Sequence, residues 1–100
     1  MQIVRKDISG TLFAFEKFRN ILIMPMYHGK LKNKKFDDVE ASDISLGVMQ
    51  YCMKHRHNIL VVSSDNAKFV YNPSNIDIQE IAEDEKFLKF LDDNYKNLIK

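Results

Sequence analysis

The stretch "DISLGVMQYCMKHRHNILVVS", Asp43 to Ser63, decides the reading of the fold, because the apolar period changes within it. In its first half Ile44, Val48 and Cys52 fall on one helical stripe, and Leu46, Met49 and Met53 fall on a second stripe beside it. Together they predict a helix from Asp43 to about His57 with a wide apolar face of the kind that packs on a sheet. Ser42 offers an acceptor to the helix's free N–H groups, and Asp43 brings negative charge to its first turn. After Asn58 the period is lost, and "ILVVS", Ile59 to Ser63, reads as a buried strand rich in branched residues.

Outward from that unit, "TLFAFEKF", Thr11 to Phe18, and "ILIMPMY", Ile21 to Tyr27, predict two strands paired antiparallel across Lys17 to Asn20. Pro25 argues for an edge position or a bulge in the second. Asp65 and Asn66 mark a turn, and "KFVY", Lys68 to Tyr71, reads as a strand returning beside Ile59 to Ser63. Ser74 or Asn75 can cap a short helical segment through Glu83. Phe87, Leu88, Leu91, Tyr95 and Leu98 then repeat at helical spacing. The expected architecture is a single domain over residues 1–100 of α+β class: a small, mainly antiparallel sheet with two or three helices packed on one face.

Composition bounds the function. The chain has 45% hydrophobic and 29% charged residues, which are ordinary globular values and argue against disorder. One cysteine, Cys52, cannot form an internal disulfide, so a reducing cytoplasm is the expected compartment. The longest unbroken apolar run, Ile21 to Tyr27, is far short of the roughly 20 residues of a membrane-spanning helix, so no membrane partner is expected. The net charge of +1 is unevenly distributed. Residues 1–36 carry a local +6, residues 37–43 a local −4, and residues 76–100 a local −3.

The residues of catalysis and metal binding do not assemble into a pattern. Cys52, His55 and His57 lie close in sequence, but His57 points away from the other two on a helix and no second ligand pair follows. His28 has the titration range of an acid or base but no adjacent partner in sequence. The chain has no phosphate-cradling glycine loop, GxSxG elbow or HExxH helix. The expectation is a non-enzyme without metal or cofactor. The basic loop "KLKNKKF" sets four lysines beside Phe36, the beginning of a single-strand nucleic-acid binder, although Asp37 and Asp38 next to it repel phosphate. A small nucleic-acid-binding or regulatory protein using Lys30 to Lys35 is therefore the alternative reading.

The segment "DDVEASDISLGVMQYC" resembles the signature of immunity proteins from contact-dependent growth inhibition, the CdiI family, in which an apolar strand and a loop lead to an "ASDxxLG" element and an amphipathic helix. The matching residues are Ala41, Ser42, Asp43, Leu46 and Gly47, and "ILIMPMYHG" resembles the preceding strand. The resemblance covers roughly residues 21–57. It implies a protein that does no chemistry and neutralises a cognate CdiA C-terminal toxin domain, commonly a nuclease, by blocking its active site. Nuclease clefts are basic because they bind phosphate, so the expected toxin-binding residues are the acids Asp37, Asp38, Glu40 and Asp43, joined by Glu83, Asp84 and Glu85. Gly47 within the helix, costing about 1 kcal/mol relative to alanine, is expected where neighbouring structure comes too close for a side chain.

Overall fold

The computed structural model describes residues 2–8 and 11–95, with side chains from residue 15 onward. Five strands, β1 (Gln2–Ile8), β2 (Thr11–Phe18), β3 (Ile21–Pro25), β4 (Asn58–Val62) and β5 (Ala67–Tyr71), form one sheet in sequence order. Neighbours are antiparallel except β3 and β4, which run parallel with Ile21 aligned to Asn58 and Met24 to Val61. The connection between that pair holds three 3-10 turns, Gly29–Leu31, Phe36–Asp38 and Ala41–Asp43, and then helix α1 (Leu46–His55). Helices α2 (Ile78–Ala82) and α3 (Glu85–Tyr95) follow the sheet. The α+β class and the mainly antiparallel sheet are as expected, and β2 occupies the predicted range. Strand β1, whose "QIVRKDI" carries three consecutive charges, was not foreshadowed by an apolar pattern.

The placement of the helices differs from expectation. They cover both faces of the sheet, not one. Leu22, Met24, Ile59 and Val61 pack with Val48 and Cys52 of α1, together with Leu31, Val39 and Ile44 from the preceding turns. Ile21, Ile23, Leu60 and Val62 face the other way and pack with Ile81 of α2 and Phe87, Leu91 and Tyr95 of α3. Every residue of β3 and β4 is consequently buried. Two covered faces account for the unbroken apolar runs, since an alternating strand would put polar side chains into one of the two cores. Pro25 sits in an interior strand and not at an edge. It is the last residue of β3, where a missing N–H does least harm, and the ladder is taken up again by Met26 N–H donating to the Val62 carbonyl at 3.0 Å.

Helix α1 starts later than the capping pattern suggested. Ser45, and not Ser42, caps it, its hydroxyl accepting from Val48 N–H at 3.2 Å. Asp43 belongs to the preceding 3-10 turn, where it accepts from Glu40 N–H at 2.8 Å. Gly47 thus lies in the first helical turn, where the interior penalty is only partly felt, and it is buried. Likewise Asp77, and not Ser74 or Asn75, caps α2 by accepting from Gln79 N–H at 2.8 Å. The predicted hairpin between β4 and β5 is present, with a bulge that gives β5 one extra residue, Val70. Leu98 lies outside the described residues.

Candidate interaction surface

The predicted site residues divide between the two sides of the sheet. Asp37, Asp38, Glu40 and Asp43 belong to the connection that packs Val39 and Ile44 into the α1 core. Glu83, Asp84 and Glu85 lie between Ile81 and Phe87, which fill the opposite core. The two acidic clusters therefore adjoin different cores, one on each side of the sheet.

Within the first cluster the acids have different roles. Asp43 is occupied internally: Lys34 Nζ donates to its Oδ1 at 2.5 Å while Oδ2 takes the Glu40 N–H, and only 15% of its side chain is exposed. The Lys34 ammonium, and then the Glu40 backbone bond, hold the carboxyl below its ordinary range. Glu40 is exposed and closes a capping box with Asp43. Asp37 and Asp38 are exposed and make no hydrogen bond or ion pair with the described residues. Among the described residues their charge therefore serves no side-chain contact.

The second cluster is largely spent on folding. Asp84 Oδ1 accepts from the N–H groups of Lys86 at 2.9 Å and Phe87 at 3.3 Å, starting α3, and its Oδ2 pairs with Arg19 at 2.5 Å. Glu83 accepts from the Gln79 side-chain amide at 2.9 Å. Glu85 is exposed in the first turn of α3, where the helix dipole favours it.

The sequence reading put Leu46 and Met53 on the packed face of α1, and the structure turns them outward, 69% and 62% exposed. At 3.6 residues per turn they point about 130° away from the midline of Val48 and Cys52, so a narrower stripe was the signal available. Met49 lies between, half-buried against the core. The layer that carries Asp37 and Asp38 thus also presents two large apolar side chains to solvent.

The lysine loop is less open than its composition suggested. Lys34 is bound to Asp43, and the Phe36 ring packs against the α1 core with Lys68 Nζ 5.0 Å from its centroid. The ring is thus partly occupied within the fold, while Lys30, Lys32 and Lys35 remain exposed. His28 is half-buried beside Tyr27, and desolvation holds its imidazole below the ordinary value. Cys52 is buried, and burial pushes its thiol up to about 12, so at neutral pH it is no nucleophile. Among the described residues no three histidine, cysteine or carboxylate side chains gather as metal ligands, and no helix is long and apolar enough to cross a membrane.

Compared with protein-family models, curated proteins and solved structures, the chain finds no match in any of the three.

Proposed function

We propose that the chain is an immunity protein of the contact-dependent growth inhibition type, which binds a cognate CdiA C-terminal nuclease domain and closes its cleft without doing chemistry. The observation that carries this reading is that Asp37 and Asp38, exposed and without a partner among the described residues, lie in the same layer as the exposed Leu46 and Met53. Charges without an internal role and large apolar side chains left in water both cost the isolated fold, and docking repays both. The "ASDISLG" resemblance supports the same assignment. In this reading Asp37 and Asp38 steer the encounter with a phosphate-binding cleft, while Leu46 and Met53 form the desolvated centre that slows dissociation. Asp43, tied to Lys34, shapes the loop and does not itself meet the toxin. A standard complex buries about 800 Å² on each partner, a modest share of this chain's 6410 Å² of accessible surface.

Co-expression with toxin domains encoded beside its gene, followed by co-purification, tests the reading. A cognate pair is expected to protect the cell and co-purify. Asp37→Lys with Asp38→Lys is expected to lower the association rate at least tenfold at low salt, an effect that shrinks as salt rises. Leu46→Asp is expected to raise the dissociation rate. Failure to protect against, or bind, any neighbouring toxin domain overturns the assignment.

A further inference from the structure

The end of α1 brings together two histidines that helical spacing would keep apart. The helix stops at His55, and Arg56 turns the chain with φ 55°, its N–H and that of His57 both donating to the Cys52 carbonyl. The His57 ring therefore comes back beside His55, with centroids 6.1 Å apart, and the Tyr51 ring lies against both, 4.4 Å from His55 and 5.8 Å from His57. His55 is exposed. His57 is 5% exposed, and neither its Nδ1 nor its Nε2 has a hydrogen-bond partner among the described residues. Buried polar atoms are ordinarily satisfied by protein groups, water or an ion. The toxin-binding surface proposed above makes no use of this pair.

We propose that His55 and His57 together bind one divalent transition-metal ion, of the Cu²⁺, Ni²⁺ and Zn²⁺ group, with water completing its coordination. Neutral imidazole is a ligand that these ions share. Two imidazoles on one such ion, at nitrogen–metal distances of about 2.0–2.1 Å, place their ring centroids about 5–6.5 Å apart, and the separation here falls within that range. The exposed His55 ring is free to turn and admit the ion, and the buried His57 ring supplies a desolvated ligand. The Arg56 turn, pinned by two N–H groups on one carbonyl, fixes both backbones in advance, so little ordering remains to be done on binding. Cys52 packs in the α1 core, and among the described residues no third histidine, cysteine or carboxylate joins the pair. The site is accordingly weaker than a closed four-ligand zinc site, and the charge of Lys17, felt at His57, weakens it further. Hard cations such as Mg²⁺ take oxygen ligands and are excluded by this donor set.

Zn²⁺ titrated into the untagged, metal-free chain at neutral pH tests this, read by nuclear magnetic resonance of the histidine rings and by thermal melting. One ion per chain is expected, shifting the ring signals of His55 and His57 together and leaving those of His28 in place. The melting temperature is expected to rise progressively with Zn²⁺ and not with Mg²⁺. His55→Gln, at an exposed position, is expected to keep the fold and weaken binding at least tenfold, while His28→Gln leaves binding unchanged. Absence of binding up to about 1 mM Zn²⁺, which is the result if water alone serves the His57 nitrogens, overturns the proposal. So does binding that His55→Gln leaves intact, or binding that shifts the His28 or His55 ring without the His57 ring. No toxin enters the experiment, so its outcome is separate from that of the immunity reading.

Discussion

His57 is the residue whose burial has the clearest measurable consequence. It is 5% exposed, its ring stacks on Tyr51 with centroids 5.8 Å apart, and neither ring nitrogen has a hydrogen-bond partner among the described residues. Burial first, and then the charges of Lys17 and His55, hold the imidazole below its ordinary value of 6.5. The unfolded chain therefore binds the proton more readily than the native one. The penalty is absent above about pH 6.5 and grows as pH falls from there toward the native value, so stability declines with acidification. His28 acts in the same direction through desolvation. Urea unfolding between pH 7.5 and 5.5 is expected to show a smaller loss of stability for His57→Phe than for the natural chain, the difference being the share of His57. Equal slopes would contradict a neutral, buried imidazole. Helical spacing turned His57 away from His55, but α1 ends at His55 and the two rings lie 6.1 Å apart beside Tyr51; burial of a polar ring just past a helix end is set by which strand follows it, and local sequence does not carry that.

At the scale of elements, α1 shows how a helix end can be built from an unfavourable residue. Arg56 adopts the left-handed conformation, φ 55°, and its N–H and that of His57 both close on the Cys52 carbonyl. Glycine ordinarily holds such a position because a side chain costs about 1–2 kcal/mol there. Arg56→Gly is thus expected to stabilise the fold by about 0.5–1 kcal/mol, readable as a raised denaturation midpoint with unchanged slope. The strands from Thr11 to Tyr71 were legible as elements because branched and aromatic runs sat between turn residues. The cap of α1 was less so. Ser42 and Ser45 both precede the apolar run, and only the intervening 3-10 turn, held by Asp43, selects Ser45. The acids were legible as clusters for the same local reason, while their division into occupied and free carboxylates depended on how the loop folds Lys34 back onto Asp43 and on Arg19, which is far from Asp84 in sequence.

For the molecule as a whole, one central sheet serves two cores. Ile59 lies in the α1 core and Ile81 in the opposite one, both nearly inaccessible. Each Ile→Val change is expected to cost about 0.5–1.5 kcal/mol and lower the melting temperature by about 4–8 °C per kcal/mol. Because the sites share no partners, the double variant is expected to show the sum within about 0.5 kcal/mol. Because β3 and β4 contribute to both cores, it is expected to keep one transition. Two resolved transitions in a calorimetric scan would mean that the faces melt separately. The sequence carried the two-sided design in its unbroken runs "ILIMP" and "NILVV", which a one-sided sheet does not require.

The parallel pairing of β3 with β4 also shapes the birth of the protein. The nascent chain brings out β1, β2 and β3 as a meander whose last strand has no neighbour on its far flank until Val62 has left the ribosome, after the whole of α1. Throughout that interval of translation a fully apolar strand stands with one side bare. Four lysines follow that strand directly, and a ribosome-bound chain stalled between Met26 and Val62 is expected to bind a chaperone of extended apolar segments more than one stalled after Tyr95.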